Sequence, residues 1–171
     1  MYNFQTKTAV ITGASQGIGK CLVKTFADYG CNIILLSRNT KKMKSIVESL
    51  KPIDNQYFQY YKLNISNENM VNLVFNKILN KNTSIDILIN NAGITSDNIL
   101  LRMKSKQWNN VINTNLNGTY YCCKAILKQM VKQKSGKIIN ISSIIGQIGN
   151  KGQANYAASK SGINGLTKSI A

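Results

Sequence analysis

The chain has no histidine in its 171 residues. This removes the serine–histidine–aspartate and cysteine–histidine routes to an activated nucleophile and argues against a zinc site. Carboxylates are almost as scarce. Asp28, Glu48, Asp54, Glu68, Asp86 and Asp97 are the whole set, too scattered for the paired-acid chemistry of glycoside hydrolysis. Tyrosine and lysine are the acid–base groups that remain. Cysteine is limited to Cys21, Cys31, Cys122 and Cys123, with neither C-x-x-C spacing nor the density of a disulfide scaffold, so reduced, partly buried thiols are expected. Apolar runs are short, such as Ile33 to Leu36 and, on either side of Asp86, Ile85 to Ile89, far below a bilayer span. The first strand-like run begins near Thr8, which leaves no room ahead of it for a signal or transit peptide.

Lysine, by contrast, is abundant: twenty lysines against two arginines bring the net charge to +16. Most of these lysines are read as solvated. The surface they create still attracts acidic partners, whether nucleic acid, a phosphorylated cofactor or an acidic carrier protein. Nucleic acid is set aside because neither arginine-interleaved aromatic platforms nor a binding motif accompanies the charge.

Apolar residues make up 43% of the chain, enough to bury the core of one domain spanning residues 1–171. Strand patterns at Thr8 to Thr12, Asn32 to Ser37, Phe58 to Ile65, Ile85 to Asn90 and Lys137 to Ser142 alternate with helical ones. Glu68 to Leu79 carries apolar residues at helical spacing, a long helix is predicted from about Asn109 to Lys134, and after the fifth strand and a Gly-rich loop a last one starts near Asn155. This alternation predicts an α/β fold, a doubly wound parallel sheet with helices on both faces. Either the chain is a fragment, incomplete at its C-terminal end, or strand five is left at the sheet edge.

Between the first strand and first helix lies Gly13-Ala14-Ser15-Gln16-Gly17-Ile18-Gly19. Glycines allow a tight turn and close backbone approach, and the helix N-terminus offers N–H groups to a pyrophosphate. Ser15 and Gln16 add side-chain donors. A dinucleotide site that prefers the unphosphorylated ribose usually has an acid at the end of strand two. Here Ser37-Arg38 stands there, and a guanidinium pairs with a 2′-phosphate, which points to NADP(H).

The remaining chemistry falls within Asn140 to Lys160. Tyr156 and Lys160 are spaced i, i+4, one above the other on a helix face. A phenol titrates near ~10, too high for easy proton cycling, and a neighbouring ammonium favours the phenolate. Ser143 is a donor thirteen residues before the tyrosine, with Ser142 as the competing assignment.

TGASQGIG at Thr12 to Gly19, NNAG at Asn90 to Gly93, Asn115 within TNLNG, ISS at Ile141 to Ser143 and Tyr156-Ala-Ala-Ser-Lys160 together resemble the short-chain dehydrogenase/reductase family. Two segments, GITSDNILLRMKSKQW and GNKGQANYAASKSG, are similar to its 3-oxoacyl-[acyl-carrier-protein] reductase branch. The resemblance implies that Tyr156 is the general acid, that Lys160 also holds the nicotinamide ribose, that Ser143 orients the substrate carbonyl and that Asn115 positions a relay water. It implies cofactor contacts from Asn91, Ala92 and Gly93, and from Asn64 where many members carry aspartate beside the adenine. It further implies an acyl carrier protein-linked substrate, with Lys132 and Lys134 as candidates for the carrier's acidic face. A homotetramer built on the two long helices and a cytoplasmic or organelle-stromal setting follow from the same likeness. Members usually continue through two further strands and a substrate loop. Other ketones as substrates, or cofactor binding without turnover, remain open alternatives.

Overall fold

In the computed structural model, which describes residues 4–82 and 84–171, the two most apolar segments form the centre of the sheet. Strand β1 (Thr8–Thr12) is buried at every position, and β2 (Asn32–Ser37) at its four central ones. Side chains alternate across a strand. Val10, Ile34, Leu36 and Leu88 therefore point into one apolar layer, and Ala9, Ile11, Ile33, Leu35 and Ile89 into the other. Each fully buried aliphatic side chain contributes roughly 1.5–3 kcal/mol, so both faces must be covered.

Helices α1 (Gly17–Asp28) and α2 (Thr40–Ser49) cover one face through Val23, Ala27, Met43 and Ile46. The other face takes α3 (Glu68–Lys81), through Val71, Val74, Phe75 and Ile78. It also takes α5 (Gly118–Gln133), through Cys122, Ile126 and Met130. The remaining strands are β3 (Phe58–Lys62), β4 (Ile87–Asn90) and β5 (Lys137–Asn140), and all pairings are parallel in the order β3-β2-β1-β4-β5. The chain reverses its direction of winding between β1 and β4, so a crevice opens beyond their carboxyl ends. β5 lies at the edge, with Ile139 exposed.

Three expectations change. Strands three, four and five are each shorter than the apolar pattern suggests. At strand four the cause is Asp86, whose carboxylate accepts from Lys7 Nζ (3.0 Å) and Thr8 N (2.9 Å) and so anchors the strand's entrance. The long helix from Asn109 to Lys134 is not continuous. It is α4 (Ser105–Ile112), a π-helical turn at Asn113–Asn117, and then α5. Last, the stretch after β5 holds a short helix, α6 (Ile145–Ile148), before α7 (Ala154–Ile170).

No helix among the described residues is long and apolar enough to cross a membrane, and no group of potential metal ligands is found among them. Cys31, Cys122 and Cys123 are buried thiols and Cys21 is exposed. Burial pushes Cys31 up to about 12 and Cys123 up to about 11, which leaves them inert as nucleophiles.

Candidate active site

Asn39 and Asn67 cap α2 and α3 by accepting from Lys42 N (3.0 Å) and Met70 N (2.9 Å). No side chain caps α1, so its first N–H groups stay available to an anion. They open into a cavity of about 270 Å³ at the carboxyl ends of the strands.

The loop before α1 is held by tight packing against the turn after β4. Gly13 has φ +66°, a region that favours glycine, and a methyl there would lie 2.8 Å from Ala92 Cα. At Gly19 a methyl would strike Gly13 O and sit 2.6 Å from Asn91 Nδ2. Asn91 Nδ2 donates to Thr12 O (3.0 Å) and Gly13 O (3.3 Å). Thr12 Oγ1 accepts from Asn91 N (3.0 Å) and Ala92 N (3.1 Å) and donates to Ile89 O (3.4 Å). By contrast, space around Gly17 is empty: at φ +52°, a methyl would meet nothing within 4 Å.

Ten of the residues expected from sequence line this one cavity: Gly13, Ser15, Gln16, Gly17, Ile18, Arg38, Asn64, Asn91, Ala92 and Gly93. Gly19 lies beneath the loop. Ser37 Oγ donates to Ser15 Oγ (2.8 Å), tying β2 to the glycine loop. Arg38 is exposed at the rim and forms no ion pair among the described residues. Next to it, between the glycine loop and α2, a second hollow of about 380 Å³ carries Lys20 and Lys42, and Lys42 Nζ donates to Gln16 Oε1 (3.4 Å). Asn64 Oδ1 accepts from Ser66 N and Oγ, leaving the amide nitrogen as the donor it can offer a ligand. Sequence reasoning missed Thr12, Ser37, Leu63, Ile94 and Thr114. Their common signal is position at or just beyond a strand's carboxyl end, or in the helix turn facing it.

Gly93 joins this cavity to the reactive residues. A methyl on it would lie 3.3 Å from Asn115 Oδ1 and 3.8 Å from Lys160 Nζ. Asn115 is wholly buried in the π turn, where its Oδ1 accepts from Ile94 N (2.8 Å) and its Nδ2 donates to Ile94 O (3.0 Å) and Ser159 Oγ (3.1 Å). The wider turn loosens the helical bonding, and Thr119 Oγ1 takes up the Asn115 carbonyl at 2.7 Å. π turns recur at functional sites.

Lys160 is buried, with Nζ donating to Ile141 O (2.6 Å) and 5.7 Å from the centre of the Tyr156 ring. Burial lowers its pKa, because the charged form loses solvation. Ser142 Oγ donates to Lys160 O (3.2 Å), binding the end of β5 to α7. Ser143 Oγ accepts from Ile145 N (3.2 Å) at the start of α6, and its hydroxyl proton remains available. Tyr156, Lys160, Asn115 and Ser143 are thus gathered on the β4–β5 side, while the glycine loop and Arg38 occupy the β1–β2 side.

Lys132 and Lys134 are not part of this arrangement. Gln133 bonds Ile85 N and O at the entrance to β4, so the end of α5 lies at the opposite end of the sheet. These two lysines, candidates for a carrier's acidic face, therefore stand apart from the cleft that holds Lys160.

A family model described as short chain dehydrogenase matches residues 7–171. Among curated relatives, the chain is 42% identical over 167 residues to the 3-oxoacyl-[acyl-carrier-protein] reductase FabG of Staphylococcus aureus (strain N315), covering 97% of this chain and 68% of that protein. It is 41% identical over 165 residues to the FabG protein of Chlamydia pneumoniae, covering 96% and 66%. The corresponding figures for Chlamydia trachomatis serovar D are 40% over 164 residues, 96% and 66%. The chain therefore spans about two thirds of the length of these relatives.

Proposed function

The chain belongs to the short-chain dehydrogenase family, and from that premise we propose that it reduces a 3-oxoacyl thioester on acyl carrier protein to the 3-hydroxyacyl thioester, using NADPH. The observation that carries this reading is continuity. One cleft runs from Arg38 and the glycine loop to Gly93, where the backbone meets Asn115 and Lys160.

The cleft fits a dinucleotide on two grounds: the uncapped start of α1 and the open space at Gly17. Gly17, Ile18 and Ser15 would hold the pyrophosphate, Asn64 the adenine, and Asn91 to Gly93 the nicotinamide half. When bound, the nicotinamide supplies the hydride. Arg38, with Lys42 nearby, favours the 2′-phosphorylated form, since a phosphate so placed finds a guanidinium and an ammonium in place of a carboxylate.

The protein's own groups manage charge and protons. A carbonyl accepting hydride becomes an alkoxide, so a proton and hydrogen bonds must reach its oxygen. Tyr156 donates that proton. Ser143 donates a hydrogen bond to the same oxygen and orients it; the Ser142 hydroxyl is already spent on Lys160 O. Lys160, desolvated and fixed by Ile141 O, places positive charge on the Tyr156 side of the cleft, 5.7 Å from the centre of its ring. Asn115 fixes the backbone on which Lys160 and the cleft converge. The same reading includes assembly as a homotetramer, consistent with the exposed apolar Tyr120, Leu127 and Val131 of α5.

The test is NADPH oxidation on addition of an acetoacetyl thioester. Tyr156→Phe is expected to reduce kcat by roughly 10²–10⁴-fold, the range for a lost general acid. NADPH binding without any oxidation by the wild-type protein would overturn the proposal.

A further inference from the structure

We infer that Asn155 is a positioning residue for Tyr156, acting through the backbone; the inference rests on the reading of Tyr156 as proton donor. Asn155 is completely buried in the first turn of α7, where the helix leaves N–H groups without internal partners. Its Oδ1 accepts from Tyr156 N at 2.7 Å. Its Nδ2 donates to Ser96 O (2.9 Å) and, at longer range, to Gln107 O (3.4 Å). One amide thus ties the tyrosine's own peptide group to the loop beyond β4 and to α4.

The other side of that loop is held in the same way. Asn115, also wholly buried, bonds both N–H and C=O of Ile94. Two buried amides therefore fix the stretch from Ile94 to Ser96, one from the π turn and one from α7. The circuit closes through Ser159, whose Oγ accepts from Asn115 Nδ2 (3.1 Å) and donates to Tyr156 O (2.7 Å). Tyr156 is bracketed at both ends of its peptide unit, its N–H by Asn155 and its carbonyl by Ser159. Its backbone, which carries the phenol, therefore stands at a fixed offset from the loop that follows β4.

Neighbouring contacts reinforce the tie from the solvent side. Asn98 N donates to Gly152 O (2.8 Å) and Gln153 Nε2 to Asp97 Oδ2 (2.9 Å). Those groups are exposed or half-buried and can exchange bonds with water. Asn155 has no such alternative, and without it the Ser96 carbonyl and the Tyr156 N–H lose their side-chain partner together.

The experiment compares Asn155→Ala and Asn155→Ser with wild type in the whole chain. In Asn155→Ala, kcat with NADPH and acetoacetyl thioester is expected to fall roughly 10–100-fold, the scale of a sub-ångström misplacement of a reacting group. Asn155→Ser, which keeps a short donor, should recover part of it. The directly measured NADPH affinity should stay within about twofold, because the residues bonded to Asn155 lie outside the cofactor cavity. Hydrogen exchange at the Tyr156 amide should accelerate in both variants. Unchanged kcat, or equal losses of kcat and NADPH affinity, would overturn the inference. If the wild type binds NADPH but reduces no thioester, the proposed reaction fails. The Tyr156 amide then decides the matter alone, an unchanged exchange rate in Asn155→Ala refuting the anchoring role.

Discussion

Replacing Thr12 by valine removes one oxygen and retains the shape of the side chain. That oxygen does three things: it accepts from Asn91 N and Ala92 N and donates to Ile89 O, which is the full capacity of a hydroxyl. Thr12 is wholly buried, so no water replaces it from its own side. Valine orphans two backbone donors. Each costs about 1–3 kcal/mol when wholly enclosed, and because the donors are only part-buried the low end applies, about 2 kcal/mol in total. For a chain of this length that is a fall in Tm of about 4–8 °C.

Because Asn91 and Ala92 line the cofactor cleft, NADPH affinity should fall as well. Thr12→Ser keeps the hydroxyl and loses a methyl, a cost of about 0.8 kcal/mol in transfer alone, and should leave affinity intact. Thermal unfolding followed by circular dichroism, with NADPH titrations on the three proteins, makes the comparison. A valine variant with wild-type Tm and wild-type affinity would show that the hydroxyl does not hold the turn.

Lys160 and Arg38 give two further tests. Burial lowers the Lys160 pKa, so in the interval below the ordinary lysine value of ~10.4 the folded state binds fewer protons than the unfolded one. The penalty of burying the ammonium is therefore fully present below the folded-state pKa and is relieved as pH rises towards the ordinary lysine value. The Tm difference between wild type and Lys160→Met should shift in favour of wild type from neutral to alkaline pH, and parallel curves would contradict this. Arg38→Ala should weaken NADPH binding by about tenfold, in keeping with the lower end of a charge-assisted hydrogen bond, and barely alter NADH. Equal effects on the two cofactors would place the 2′-phosphate elsewhere.

The centre of the fold was legible because β1 and β2 are buried on both faces and read as unbroken apolar runs. The glycine loop was legible for a related reason: only glycine fits where Gly13 and Gly19 pack against the Asn91–Ala92 turn. The edges were less so. Asp86 interrupts an apolar run, and nothing local says that its carboxylate serves Lys7 and Thr8. Gly146 and Gly149 made α6 read as loop. The position of Lys132 and Lys134 could have been deduced from topology alone. A helix that precedes a parallel strand must end where that strand begins, at the end of the sheet away from the carboxyl termini that carry the site. Thr12 and Asn155 were hidden because a threonine in a strand and an asparagine at a helix start are ordinary by type. What distinguishes them is the set of partners brought from distant segments.

The π turn at Asn113–Asn117 accommodates one residue more than a regular helix would over the same rise. Each residue of an α-helix advances the azimuth by about 100°, so α4 and α5 are phased independently across that turn. The stripe of α5 that meets the sheet, Cys122, Ile126 and Met130, keeps its own orientation while the Asn115 amide points at Ile94. A one-codon deletion anywhere from Asn113 to Asn117 would straighten the coil, preserve nearly every side chain, and swing either the amide or the stripe off its target. Length, more than identity, is the constrained property of this stretch.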